Sequence, residues 1–353
     1  MRAIAAQTAR TAVPFAVVLV LLTLLLQAVG SGTDLRVGTD FLIATVMVIG
    51  LQVFSGNAGI VSFGHVAFMG VGAYVAALVS IAPATKQLQL AGLPEFLFNA
   101  ELPFLAAMAV ATTVSALVAL LLGFALTRMR PDAMAMATIA LMLIFFTVTN
   151  NWTGVTNGST GVFGVPQGTT IWVAVAFAIA ALVLALAFRY ARVGLIVRAS
   201  REDDLAAAAL GGNVRVGRLL AWTVSGALVG AGGALWAQYH EAFSPEAFYF
   251  TQMFALLSML VVGGMSTVSG AVVGAAVVTL ITELIRRAEA GADVVSLHVK
   301  LPGGFSALLI GLLLLVILRW RPGGLVSGRE LGERRALVPR WARSLGGSAE
   351  GRG

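Results

Sequence analysis

Residues 103–127 read PFLAAMAVATTVSALVALLLGFALT, a run of 25 positions without a charge, closed by Glu101 before it and by Arg128 and Arg130 after it. At about 1.5 Å per residue, a helix of this length exceeds the roughly 30 Å of a bilayer's hydrocarbon core. A helix apolar on every face belongs in lipid or deep inside a large protein. Similar runs recur near 12–29, 40–56, 62–81, 133–150, 170–188, 219–238, 250–265, 268–285 and 303–319, which makes about ten. Charged residues are 11% of the chain and hydrophobic ones 59%, whereas a soluble domain is roughly a quarter charged. The expected fold is all-α, a polytopic transmembrane helical bundle in which 1–320 form one membrane domain. Residues 321–353, basic and rich in glycine and arginine, are expected to be a disordered tail.

Charge orients the spans. With ten crossings and the N-terminus inside, 18 of the 23 Lys and Arg residues fall on inner segments and five, Arg36, Lys86, Arg286, Arg287 and Lys300, fall outside. Short arginine-rich loops resist translocation, so both termini are expected in the cytoplasm. The same segregation speaks against a nucleic-acid surface, which would gather the net charge of +7 into one patch. The run Ala12–Val29 is long for the apolar part of a cleaved signal and lacks a small-x-small site, so it reads as a retained span. The absence of cysteine removes disulfides and thiolate metal sites.

Two segments interrupt the apolar pattern. The outer segment NWTGVTNGSTGVFGVPQGT (151–169) has no charge; it is either a plain polar loop or one folded back at membrane depth, where irregular backbone survives only against protein or a cavity. The inner segment 189–218 contains SREDDLAAAALGG (200–212). Ser200 with Asp203 resembles a capping box, Glu202 and Asp204 add negative charge at the helix start, and Gly211-Gly212 can end it. A helix of about ten residues is marginal alone in water and needs a surface. Its alanines offer a smooth face and no bulky membrane anchor, which favours docking into a cytoplasmic partner over lying on lipid.

Leu205-Ala206-Ala207 followed by Gly211 resembles the coupling loop of ABC importer permeases, with Leu205 where a glutamate usually leads. GNAGIVSFGHVAFMGVGAY (56–74) resembles the signature of LivM-type branched-chain amino acid permeases at Gly56, Ala58, Gly59, Ser62, Gly64, His65, Gly70, Gly72 and Tyr74. TGVTNGSTG (153–161, with Val155 in place of a glycine), VVGGMSTVSGAVVGAA (261–276) and RWRPGGLVSG (319–328) are similar to the same family. The resemblance implies a subunit of the bacterial inner membrane that works with a second permease, two ATPase subunits and a binding protein outside. ATP and Mg would be held by the ATPases, and no cofactor by this chain. Leucine, isoleucine or valine would be the substrate, with urea, short amides or another small metabolite as the alternative.

The coupling contacts would come from Arg198, Arg201, Glu202, Asp203, Asp204, Leu205, Ala206, Ala207 and Gly211. Polar groups at membrane depth need a reason. Asn57, Ser62 and His65, among Gly56, Gly59 and Gly64, either line a path at a broken helix or satisfy packing; Thr153, Asn157 and Thr160 are path candidates in the outer segment. Gly70, and the spacings Gly226-x-x-x-Gly230 and Gly270-x-x-x-Gly274, read as close helix contacts. Glu283 either faces a pore or snorkels.

Catalysis has no support: His65, His240 and His298 lie apart, without a metal motif, and no Walker A loop is present. An ion-coupled secondary transporter would show carboxylates well inside its spans, and Glu283 sits near an end.

Overall fold

The computed structural model of the chain describes residues 2–90, 92–209, 211–289, 311–312, 319–321, 323–326 and 328–331. Its long helices are α1 (Arg2–Val29), α2 (Gly32–Leu51), α3 (His65–Ser80), α6 (Phe104–Leu126), α7 (Pro131–Asn151), α9 (Ile171–Tyr190), α10 (Arg192–Glu202), α12 (Val214–His240), α13 (Phe250–Gly263) and α14 (Val268–Glu289). Shorter pieces are α4 (Pro83–Gln89), α5 (Glu95–Phe98), α8 (Thr153–Thr156) and α11 (Asp204–Ala209). A π-helical turn, Gln52–Gly56, continues α2. Among the described residues eight helices are long and apolar enough to cross a membrane, counting α2 with its π-turn and α13 with the 3-10 turn Pro245–Phe248 before it.

The expected span 62–81 is the 16-residue α3, about 24 Å long, which bends by 120° into α4. Gly59–Gly64 is not helical, because Gly59 takes a left-handed φ of +71° that ends the preceding helix. The expected span 303–319 lies outside the described residues except Gly311, Leu312 and Arg319.

α2 and α12 are buried along most of their length and α1 is largely exposed. Lipid is as apolar as leucine, so the centre is held by close packing rather than by hiding oil from water. Against α12 pack α2, α3 and α6; α1 lies on α9. The crossing of α3 and α12 is made of backbone: a methyl on Gly72 would overlap the Gly230 carbonyl, and one on Gly233 the Met69 carbonyl. Gly226 faces Ala119 and Phe68, and Gly230 also faces Ser115. On the other side of the bundle, Gly274 meets the Met259 carbonyl and Gly270 the Gly263 and Gly264 carbonyls.

Helix starts follow their caps. Ser31 and Asp34 form a capping box on α2, Thr170 accepts from Val173 N–H on α9, and Asn213 from Val216 N–H on α12. Threonines inside the spans return their hydroxyls to the preceding turn, as Thr45 does to the Phe41 carbonyl at 2.8 Å.

The connections gather at two ends. At one, Arg201 reaches Gly56 and Arg189 reaches Ser266. At the other, Lys86 donates to the carbonyls of Leu97 and Ala100, and Arg287 pairs with Asp34. The 151–169 segment is a folded cap on this second end, and it departs from an all-α fold by one ladder. Its strand β1 (Val162–Phe163) pairs antiparallel with β2 (Ala242–Phe243). Gln89 pairs with both backbone groups of Phe163, and Thr169 donates to the Leu235 carbonyl of α12.

Part of the segment expected to be a disordered tail is packed on the bundle, and 332–353 lie outside the described residues. Residues 323–326 and 328–331 are packed on the turn between α13 and α14, where Leu325 and Val326 N–H donate to the Val262 and Gly263 carbonyls. The carbonyl ends of α13 needed partners, and this segment supplies them.

Candidate functional site

The site-forming space is a cavity of about 1080 Å³ between α2, α12, α13 and α14. Its depth can be read on three helices. Arg36 and Asp40 on α2, Gln252 on α13, and Glu283 and Arg286 on α14 lie toward the 151–169 end; Ala44 and Met47, Met259, and Val278 lie deeper. Seven residues separate Asp40 from Met47, so the floor lies about 10 Å below the rim. The charged residues lie toward its mouth, and the deeper lining is mostly apolar, with the hydroxyls of Ser258 and Thr279 among it.

The rim is cross-linked by charge. Glu283 accepts from Arg286 in two bonds of 2.7 and 2.8 Å and from Arg287 at 2.6 Å, and Arg287 continues to Asp34 at 2.6 Å. Asp40 and His240 join α2 to α12 at 3.1 Å. Glu283 is therefore a paired rim carboxylate. A space with opposed charges at one end and alkyl groups at the other fits a small molecule whose own polarity is divided in that way.

The path residues expected from sequence are not brought together. Asn57, Ser62 and His65 are buried at the Gly56 end, and none borders the cavity. His65 sits in a cage of Phe54, Phe68 and Trp222, with ring centroids 5.8, 5.7 and 4.8 Å away. Its Nε2 lies 2.7 Å from Ser225 Oγ, whose one proton goes to the Gly50 carbonyl at 2.6 Å. Nε2 must then carry hydrogen, and Nδ1 accepts from Ser62 Oγ at 2.7 Å. This is a satisfied core histidine joining α3 to α12. Ser225→Ala is expected to cost about 1–3 kcal/mol by stranding a buried donor, measured as a lower unfolding midpoint in detergent with substrate affinity unchanged.

Asn57 donates to the Val53 carbonyl at 2.9 Å. Asn157, in the left-handed region at φ 59°, closes its own turn by donating to the Gly161 carbonyl, while Thr153 and Thr160 are exposed. Along α7 the His65 region and the Thr153 region are about 20 Å apart.

The 189–218 segment differs from its expected form. α10 ends at Glu202, Asp203 is extended, and the six-residue α11 follows. Asp203, not Ser200, is the cap: its carboxylate accepts from Leu205 and Ala206 N–H at 2.8 and 3.0 Å, whereas Ser200 is buried and bonds the Val197 carbonyl. Asp204 pairs with Arg218 of α12 at 2.7 Å. Leu205, Ala206, Ala208 and Ala209 are exposed and Ala207 is buried, so the free face excludes Ala207. Gly211 supplies the left-handed turn at φ +81°. Arg198 donates to the Arg189 carbonyl, and Arg201 lies across Gly59 and donates to the Gly56 carbonyl at 3.3 Å. A methyl on Gly56 would strike the Met265 carbonyl; Gly64 faces Thr138 and Gly70 faces the Phe145 ring.

Sequence reasoning missed the cavity, whose rim comes from three helices far apart in the chain. The spacing Arg36–Asp40, opposite charges four apart at a span end, was the available signal.

These features define a polytopic helical membrane protein with an amphipathic cavity open toward one end. The profile described as branched-chain amino acid transport system, permease component, matches residues 35–318, and the chain belongs to that family. It is similar to the high-affinity branched-chain amino acid transport system permease protein LivM of Escherichia coli K12, 26% identical over 346 residues, covering 88% of this chain and 74% of the relative. It is also similar to LivM of Salmonella typhimurium LT2, 26% identical over 342 residues, covering 84% and 73%.

Proposed function

We propose that this chain is the membrane-spanning permease subunit of an ATP-driven ABC importer that moves leucine, isoleucine or valine inward by alternating access. The observation that carries the substrate reading is the cavity: opposed charges at the rim match an amino acid's ammonium and carboxylate, and the mostly alkyl floor, with Ala44, Met47, Met259 and Val278, matches its side chain. The rim end would face outward to receive substrate from a binding protein, and the Arg189–Arg218 end, with its excess of arginine, would face the cytoplasm. There the exposed face of α11 would dock an ATPase subunit, one of two in a complex with a second permease. ATP closure would move α10 and α11 as a rigid body and switch the access of the path.

ATP-dependent uptake of labelled leucine into vesicles tests this, with the chain co-expressed with its neighbouring permease, ATPase and binding-protein genes. Uptake should vanish when this chain is omitted. Working ATPases and binding protein with no leucine uptake would move the substrate to urea, a short amide or another small metabolite. Collapse of uptake by a proton uncoupler at constant ATP would replace the ABC reading with ion-coupled transport.

A further inference from the structure

The turn between α13 and α14, Gly264–Thr267, joins the last carbonyls of one helix to the first N–H groups of the next, and the turn itself partners only some of them, as Gly264 N–H does the Leu260 carbonyl and Thr267 Oγ1 the Gly270 N–H. Residues 323–326 and 328–331 partner groups on both sides. Leu325 and Val326 N–H donate to the Val262 and Gly263 carbonyls at 2.9 and 2.8 Å. Thr267 Oγ1 donates to the Val326 carbonyl at 2.9 Å. Glu330 then turns its carboxylate onto the start of α14, accepting from Val268 N–H at 2.8 Å, Ser269 N–H at 2.9 Å and Ser269 Oγ at 2.6 Å. A carboxylate at a helix N-terminus is favoured by the aligned peptide dipoles. The glycines of both segments permit the contact: Gly264 and Gly324 have φ of +116° and +80°, and a methyl on Gly264 would sit 2.9 Å from the Gly323 carbonyl oxygen. This gives the RWRPGGLVSG stretch a physical task.

The same carboxylate reaches the base of the 189–218 segment. Arg189 Nε lies 2.9 Å from Glu330 Oε1, both residues are 3% exposed, and Arg189 Nη1 donates to the Ser266 carbonyl at 2.6 Å. Arg198 of α10 holds the Arg189 carbonyl. An unbroken chain of contacts thus runs from α10 through Arg189 and Glu330 to α14, whose Val278 and Glu283 wall the cavity.

We propose that residues 323–326 and 328–331 are a transmission clasp, with Glu330 the positioning residue that makes the base of the coupling segment and the α13–α14 hairpin move as one body. This rests on the ABC permease reading. The clasp stays closed through the cycle, and a push on α10 and α11 reaches the cavity wall through it. Without Glu330 the ATPases still dock and turn over, but the wall no longer follows.

The test reconstitutes the complete complex in proteoliposomes and records ATP hydrolysis and leucine uptake together. A chain ending at Leu331 should keep both rates. Glu330→Gln should still bring the ATPases through purification and hydrolyse ATP, while uptake per ATP falls about tenfold or more. Glu330→Asp, which keeps the charge on a shorter side chain, should recover part of the lost uptake per ATP. Normal uptake per ATP in Glu330→Gln overturns the clasp. If Glu330→Gln does not accumulate, Ser269→Ala decides, because it removes one partner of the same carboxylate: lowered uptake per ATP supports the clasp, and unchanged uptake per ATP overturns it. A wild-type complex that hydrolyses ATP yet takes up nothing fails the permease reading instead.

Discussion

Glutamate at Ala208 is expected to abolish ATP-driven uptake in a chain that still folds, while glutamate at Ala207, one position earlier, is expected to prevent stable folding. The two alanines differ in what surrounds them. Ala208 is exposed on α11 beside Leu205, which is 83% exposed, whereas Ala207 is 4% exposed and its carbonyl accepts from Gly212 N–H. A carboxylate forced into the Ala207 position would be buried, and an unpaired buried charge costs about 3–5 kcal/mol. At Ala208 the charge stays in water until a partner must cover it. Uptake and the unfolding midpoint of each purified variant separate the two effects. Wild-type uptake with Ala208→Glu would show that this face docks nothing.

Valine in place of Gly72 is expected to remove roughly 3 kcal/mol or more of stability, because the obstacle is backbone and no rotamer can yield. The added carbon would overlap the Gly230 carbonyl in the most heavily packed crossing of the bundle. Gly32→Ala is the matched control: nothing lies within 4 Å of the added methyl, and its midpoint should not move. The comparison is made by thermal unfolding in detergent. A Gly72→Val protein with an unchanged midpoint would mean that α3 and α12 are further apart than described.

Much of the helical frame was legible because a transmembrane span is announced by length and hydropathy alone, as in Phe104–Leu126. The family was legible too, from its motifs, and the family match over residues 35–318 bears it out. What each motif does was not. His65 looked equally suited to a path and to packing until Trp222 and Ser225, some 160 positions away, closed around it. The four alanines of α11 carry no pattern that marks one as inward, so Ala207 was misread as part of the docking face. Ser200 and Asp203 both suit a helix start, and only the extended backbone at Asp203 decides between them. Glu330 was hidden in a basic stretch whose composition suggests disorder, since composition does not reveal that two helix ends nearby lack partners. The cavity rim is likewise a sum over α2, α12 and α14 that no single window of sequence contains.

The glycine crossing of α3 and α12 has a mechanical consequence. Where carbonyl meets Cα directly, no side chain stands between the helices to compress, tilt or change rotamer, so their separation is fixed by hard-sphere contact. The two helices act as an axle. The α13–α14 hairpin is glycine-packed in the same way, so the bundle contains two stiff pairs, and on the proposed function any shape change would fall on the side-chain contacts between them.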